Sequence, residues 1–584
     1  MENIEKAPNV PPFVRYCAML IPTVFDDSLS YYEALCALSN WIQKNLVEVV
    51  NNNAEVTEEY IQLTKDLKTY VDTYFDNLDV QEEVNNKLDA MVEDGTLDEI
   101  INQEIFGNLS DAITTVEGEI GDMTKLQTVN KDTLVNAINS ANLNHIDELR
   151  NEYGQFYNYF TVPINNPWYE QISVFKDVQS NNYSYYFDKT KFKGINTGNT
   201  FIVDPSNTES VTTQDGSAEH PYSTISYAMH RSTIANGDTL YLKAGKYTRN
   251  QCNYNYTISG YTTCNLSINI IAEDGVILTC ADDLSWTQDS EYTNVYYATR
   301  SGVTSVFSLI KNEKGVYPQL TKVTSLSAVR TTAYSWFLNS NVVYVNLGGE
   351  TVTNANVICQ LAVGSSQHMF EFAPTSANMN IYIENVTAFG SNNGFFGFTN
   401  NTGYTMNVVM DNCDFIFCST NNGVTCRGTN TIFHKCKSIK AFRDGFNYHK
   451  GTTQMCNAIE LDCVGAYNGL EDTNYNNNGS TTHEGNSILR INGTYFNNSG
   501  PNIADVDDGT ISVNLNCKMF DSAGILTQKN DAMTTGGATM YLNNCYMKGS
   551  KSIKNISATG ENSHTYITNC EYDTLSSNGD VVIE

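Results

Sequence analysis

NIYIENVTAF (380–389), NVVMDNCDF (407–415), TIFHKCKSI (431–439), AIELDCVGA (458–466), ILRINGTYF (488–496), SVNLNCKMF (512–520), MYLNNCYMK (540–548) and TYITNCEYD (565–573) stack on one column. That column reads Val386, Cys413, Cys436, Cys463, Gly493, Cys517, Cys545, Cys570, with gaps of 27, 23, 27, 30, 24, 28 and 25 residues. Such spacing suits coils that share strands and differ in loops. Four residues before the column the chain is apolar in all eight segments, at Tyr382, Val409, Ile432, Ile459, Leu489, Val513, Tyr541 and Tyr566. One residue before it, six of the eight are Asn.

Strand side chains alternate between faces, so an apolar and thiol column beside a polar one describes one wall of a stacked β-solenoid. Stacked Asn side chains can bond from coil to coil, and Cys packs where Leu would not fit. The six column Cys are therefore expected to point inward and stay reduced. A β-sandwich also alternates, but gives no reason for the same residue types to recur at the same place in eight segments. On these segments the chain resembles the right-handed parallel β-helix of the pectate-lyase-like superfamily, which implies a mainly β fold from about residue 209 to 584.

The chain has 584 residues, enough for more than one domain, and is 41% hydrophobic. Its net charge of −31 argues against nucleic acid and anionic membranes as partners. It also makes a strongly anionic substrate awkward. No apolar run reaches membrane-span length and MENIEKAPNV is not a secretory signal, so the expectation is a protein made in a cytoplasm.

Ser30 to Val50 has helical spacing and opens on a capping box, Ser30 and Glu33. Val56, Tyr60, Leu63, Leu67, Tyr70 and Tyr74 then form a heptad seam. Tyr at half of its positions points to more than two helices around the axis, although an ordinary amphipathic helix has the same spacing. Residues 20–35 (LIPTVFDDSLSYYEAL) and 75–100 (FDNLDVQEEVNNKLDAMVEDGTLDEI) resemble the N-terminal segment of tail and baseplate proteins of phages infecting Gram-positive bacteria. The resemblance implies a helical virion-attachment region over 1–108 that meets a phage tail or collar protein, a homotrimer, and a place on the virion after synthesis in the host cytoplasm. Gly121–Asn142 resembles a helical spacer of such proteins, placed at 109–150.

Residues 151–208, rich in Tyr and Asn with Pro163 and Pro167, read as a linker or small β collar. The stretch His220 to Ile225, Ala228, Gly237 to Leu242, Gly245 and Tyr247 resembles the opening of a β-helix, with a short helix capping the first coil and Ser267–Leu278 as the first full one. Trp336 and the alternation Val343-Tyr344-Val345 suggest β-hairpins inserted near 292–357, and insertions on one face of a solenoid often bind ligands.

Polar residues gather in RDGFNYH (443–449), EDTNYNNNGSTTHEGN (471–486) and GPNIADVDDG (500–509). Counted from the column, Asp444, His449 and Asp505 fall on one side of the solenoid, and an insertion brings His483 and Glu484 near it. Carboxylates one or two coils apart lie roughly 5 to 10 Å from each other, which brackets the separations used in glycoside hydrolysis. Asp444, Glu484 and Asp505 are the candidate acid/base set, with Arg443, Tyr448, His449, His483, Asn502, Asp507 and Asp508 as candidate substrate-binding residues. Asp-Gly and Asn-Gly are also ordinary turn pairs of a β-helix. Only Asp507-Asp508 in this region matches the polygalacturonase motifs N-x-D, D-D, G-H-G and R-x-K, and Asn412-Cys413-Asp414 lacks the later ones. No C-x-x-C, P-loop or Ser-His-Asp order is present, so no cofactor or metal is expected, with a bound cation such as calcium left open. The whole resembles tailspikes and tail appendages. Two functions follow: an enzyme that hydrolyses a host cell-surface polysaccharide or teichoic acid, and an adhesin that binds it without cleavage.

Overall fold

The computed structural model describes residues 157–177, 180–229, 234–252, 264–312, 316–399, 403–524, 530–549 and 556–583. The attachment region 1–108, its heptad, and the spacer lie outside the described residues. What is described is mainly β: a parallel β-solenoid of about eleven turns.

Each repeat supplies three strands. The first wall stacks Met379–Glu384, Met406–Asp411, Asn430–His434, Asn457–Leu461, Ser487–Ile491, Ile511–Leu515 and Thr539–Asn543. The apolar residues four before the column pair in register from Tyr382 to Tyr566. The second wall is a ladder of short strands such as Thr387–Phe389, Asp414–Ile416 and Lys437–Ile439. The third wall stacks Phe395–Phe398, Val424–Arg427, Phe446–His449, Ser480–Thr482, Ile503–Val506 and Ala532–Thr535.

Two left-handed residues per coil set the corners. The residue before the column has φ of +50° to +62° in all eight coils, at Asn385, Asn412, Lys435, Asp462, Asn492, Asn516, Asn544 and Asn569. Asn visits that region at lower cost than most side chains, so the Asn preference has a backbone cause as well as a side-chain one. A second positive φ falls four residues after the column, at Gly390, Phe417, Lys440, Tyr467, Asn497, Asp521 and Gly549. The three-residue strands of the second wall fit between these corners.

The first corner is also laced side chain to side chain. Asn412 Nδ2 donates to Asn385 Oδ1 at 2.8 Å, Asn492 to Asp462 at 3.0 Å, Asn516 to Asn492 at 3.0 Å, Asn544 to Asn516 at 2.9 Å and Asn569 to Asn544 at 2.8 Å. Just inside it the Cys column faces the lumen. Its six cysteines are free thiols, five of them buried and Cys570 partly so. Each Sγ donates to the carbonyl three residues before the column position of the preceding coil, as from Cys463 to Phe433 O at 3.2 Å and from Cys545 to Asn514 O at 3.3 Å. Small size and a weak donor both serve there.

The apolar column four residues earlier points outward, because the left-handed corner lies between it and the Cys. From Tyr382 to Val513 it stays buried because residues 160–177 and 180–193 lie across it. Tyr157–Tyr159, Ser173–Asp177 and Tyr183–Tyr186 form a three-stranded antiparallel sheet, followed by helix Lys189–Lys193. Trp168, Tyr169, Val174, Tyr183 and Phe192 pack with Tyr382, Val409, Ile432, Ile459, Leu489 and Val513. Trp168 Nε1 donates to Thr431 O at 3.1 Å and Tyr169 Oη to Ser487 Oγ at 2.9 Å. Lys189 bridges Glu384 (2.6 Å) and Asp411.

The solenoid begins before Ser267: Asp238–Leu242 pairs with Thr200–Val203 on one side and Ile268–Ala272 on the other. Ile268–Ala272 then stacks directly on Met379–Glu384, and Ile277–Thr279 on Thr387–Phe389, so the chain leaves the coil after Thr279 and rejoins it at Phe370–Phe372 in the third wall. Val303–Ser308 and Val357–Leu361 form an antiparallel pair within the excursion. The excursion carries a five-stranded sheet ordered Thr321–Lys322, Ser335–Asn339, Val342–Asn346, Val295–Thr299, Thr287–Gln288, with its own core around Trp336, Val343 and Val345.

Asn516 tests the corner. It also clamps the overlying strap, accepting from Tyr183 N at 3.1 Å and donating to Tyr183 O at 2.6 Å. Asn516→Gly keeps the left-handed backbone and loses the side-chain bonds; Asn516→Ala loses both. Chemical denaturation should show Gly destabilised by about 1–2 kcal/mol and Ala by roughly 1 kcal/mol more; equal stabilities would contradict the corner assignment.

Candidate functional site

Three consecutive coils of the third wall share a pattern: Gly423-Val-Thr-Cys-Arg427, Gly445-Phe-Asn-Tyr-His449 and Gly479-Ser-Thr-Thr-His483, each preceded by Asn or Asp. The glycines are required by close approach. A Cβ at Gly445 would sit 2.4 Å from Gly479 O, and one at Gly479 2.8 Å from Asn502 O. Asp444 stands where the neighbouring coils have Asn422 and Asn478. Its N–H donates to Asn422 Oδ1 at 3.0 Å; its carboxylate accepts from Asn478 N at 2.7 Å and from Asn447 Nδ2 at 2.5 Å. Burial pushes its carboxyl up from the ordinary range. Asp444 is thus a turn residue that caps the next coil, as its Asp-Gly pair allows.

At the far end of these strands the side chains emerge. Arg427 pairs with His449, and His449 stacks on His483 with ring centroids 4.5 Å apart and planes 2° from parallel. Glu484, at φ +61°, turns the chain outward. Its carboxylate accepts from Lys450 N at 2.9 Å and lies 3.5 Å from His449 Nδ1. Glu484 N donates to Asp507 Oδ2 on the next coil at 3.2 Å. Asp507 and Asp508 are exposed. Burial, with His483 and Arg427 beside it, brings the His449 pKa down to about 4; at neutral pH its contact with Glu484 joins a neutral imidazole to a carboxylate. Arg443 is exposed at the other end of the wall, its guanidinium 5.4 Å from the ring of Tyr475.

The expected site therefore divides. Arg443, His449, His483, Glu484, Asp507 and Asp508 lie at the surface, while Asp505, Tyr448 and Asn502 do not. Asp505 pairs in register with Thr482, and Thr482 with Tyr448; this column faces the lumen, and Asp505 and Tyr448 are fully buried. Arg490 Nη2 donates to Asp505 at 3.2 Å, and Ser512 Oγ caps the other carboxylate oxygen. Tyr448 Oη donates to Glu460 at 2.8 Å, as do Ser480 at 2.6 Å and Tyr495. Asn502 is a buried corner, donating to Phe520 O and Asp531 Oδ1, both at 2.9 Å. None of the three can meet a polymer from outside. Counting from the column located their coil and missed their face, because loop lengths alter parity between walls.

Arg427 and Tyr475 were missed. Aligning the three Gly-x-x-x-[Arg/His] pieces would have found Arg427; nothing local marks Tyr475, which is 60% exposed. Among the described residues no three His, Cys, Asp or Glu side chains are placed to hold a metal ion.

No protein-family model matches the chain, and a comparison with curated proteins finds no match. Solved structures with a similar coiled architecture include a pectate lyase (12% identity, TM-score 0.33, 67% of this chain and 76% of that one). A polygalacturonase from Erwinia carotovora ssp. carotovora gives 8% identity and a TM-score of 0.28 over 66% of this chain and 96% of that one. A tailspike from an Acinetobacter baumannii bacteriophage, a capsular polysaccharide depolymerase, gives 10%, 0.24, 59% and 50%. These likenesses assign no chemistry to any residue here.

A catalytic Asp505 at the surface would tolerate Asn with little change in thermal stability; the buried position implies a cost instead. Arg490→Leu leaves two buried carboxylates without their cation and should cost about 3–5 kcal/mol; Asp505→Asn should cost about 1–3 kcal/mol, and exposed Glu484→Gln less than about 0.5 kcal/mol. Denaturant titration of the three checks the order.

His449 sets a pH dependence. A histidine whose folded pKa is depressed is neutral in the native state, so the unfolded chain binds the extra proton. Its contribution to stability is complete above the unfolded value of about 6.5 and is lost as pH falls towards about 4. His449→Asn should flatten the decline between those values in thermal melts taken across the range; an unchanged slope would show that His449 is already charged in the folded protein.

Proposed function

We propose that this chain is a bacteriophage tail appendage, carried on the virion as a homotrimer through residues 1–108, whose solenoid binds a host cell-surface polysaccharide. The N-terminal resemblance supports the first half. The second rests on one observation: Arg427, His449, His483, Glu484, Asp507 and Asp508 form a polar ridge along the outer edge of successive coils. Charged and imidazole groups repeated at a rigid interval of about 4.8 Å offer hydroxyl-rich polymers donors and acceptors already in place.

Hydrolysis is supported less well, because Asp505 is sealed in the lumen and Asp444 is engaged in turn bonds. Exposed carboxylates on consecutive coils include Glu484 and Asp507, and one coil interval of about 4.8 Å lies close to the carboxyl separation used by retaining glycosidases. Any cleavage on this face would run through them.

Co-sedimentation with Gram-positive host cells, paired with an assay for released oligosaccharide, tests both. The parent should bind, and the double variant Arg427→Ala/His483→Ala should bind at least about tenfold more weakly, roughly 1.4 kcal/mol. Oligosaccharide release that disappears in Glu484→Gln would establish the enzyme; binding without release establishes the adhesin. A parent that adheres to no cell in the panel overturns the proposal.

A further inference from the structure

The inserted sheet closes its core on one face only, through Ala298, Trp336, Val343 and Val345. Strand alternation sends Tyr297, Tyr344 and Phe337 to the other face. The pairing sets them side by side on three adjacent strands: Tyr297 opposite Tyr344, and Tyr344 opposite Phe337. Their ring centroids are 5.7 Å and 6.5 Å apart, with planes 40° and 23° from parallel. Each ring is partly exposed. Helix Leu326–Thr331 covers one end of this face, where Asn346 Nδ2 donates to Val329 O at 2.8 Å. At the other end lie Thr299, Val342 and Asn339, with Thr287 continuing the row beside Tyr297. A row of rings with a wall on one side is left open, and the core beneath does not need it.

We infer that this aromatic row is a second binding surface, separate from the polar ridge, and that it takes a linear, uncharged polysaccharide. The inference rests on the glycan-binding reading above. Aromatic faces cover the apolar C–H faces of pyranose rings, and the three rings, at centroid intervals of 5.7 Å and 6.5 Å, are spaced on the scale of one sugar's advance along an extended chain. Charge selects the class of polymer. Thr287, Tyr297, Tyr344, Phe337, Thr299, Val342 and Asn339 include no ionised group, and the chain carries a net charge of −31. An anionic polymer would find no cation on this row and would be repelled by the molecule as a whole, whereas a neutral one meets neither cost.

Affinity electrophoresis of the full chain through gels containing soluble β-glucan or mannan, with dextran sulfate as the anionic control, tests the inference. The parent should be retarded by a neutral polymer and not by dextran sulfate. Tyr297→Ala/Tyr344→Ala should weaken retardation at least about tenfold, while Tyr297→Phe/Tyr344→Phe, which keeps the rings, should match the parent. If the alanine variant fails to fold, Tyr297→Leu/Tyr344→Leu, which keeps apolar bulk on this face but removes the rings, should give the same loss. Alanine or leucine variants that migrate like the parent overturn the inference, as do phenylalanine variants that lose retardation. A parent that adheres to host cells yet passes neutral gels freely overturns this inference alone; one that neither adheres to cells nor is retarded overturns the glycan reading as well.

Discussion

The solenoid depends on a corner that the backbone disfavours. Each coil must bend sharply just before the column, and in all eight the bend uses a left-handed residue. For an L-residue other than glycine that conformation costs about 1–2 kcal/mol, so the chain uses Asn at most of these positions and recovers stability by bonding five of the six to the corner residue of the preceding coil. Fixing this corner and the one five residues later sets the length of the second wall and holds the thiol column at one place in the lumen. What is left free is the return path along the third wall, where loops vary in length. Variation, and the polar ridge, are found there.

The lumen is not uniformly apolar. Following the inward position three before the column gives Ile383, Met410, Phe433, then Glu460, Arg490, Asn514, then Leu542 and Ile567. Glu460 and Asp505 flank Arg490, with all three fully buried. This belt separates one apolar core, reaching Ile488, from a second that starts at Tyr495. A buried ion cluster contributes little net stability compared with apolar residues of the same volume. Its effect is on register: a slip of one coil would set Arg490 against apolar neighbours and strand a carboxylate.

Legibility followed repetition. The Cys column, the in-register apolar column and the Asn ladder each recur often enough for their meaning to be read from the residues alone. The face occupied by a single residue was not legible where an unrepeated loop precedes it. Asp505, twelve residues beyond Gly493, was assigned to the right coil and the wrong side, since an odd or even loop exchanges inside for outside. The outward direction of the apolar column was also hidden. An apolar column normally marks a core, and the segments that cover it, residues 160–177 and 180–193, have no period to announce their role. Asp444 looked catalytic for the same reason that it is structural: a carboxylate in a tight Asp-Gly turn beside other polar loops has both signatures until its partners, Asn478 N and Asn447 Nδ2, are seen.

Coverage then decides where a partner can bind. The first wall lies under the strap, through Trp168, Tyr169 and Phe192. On the second wall the foot of the insertion occupies part of the corner, with Phe307 against Phe389 and Phe417. The edge of the third wall and the outer face of the inserted sheet keep polar and aromatic side chains in solvent, on neighbouring strands in both cases. One offers charge and imidazole along the solenoid axis; the other offers aromatic rings across a small sheet. If both bind as proposed, a polymer long enough to reach both would gain from simultaneous attachment without any new contact, provided that its path matches the span, and the proposed trimer would multiply the effect. Weak single sites are then sufficient, which suits side chains that remain half-exposed instead of lining a closed pocket.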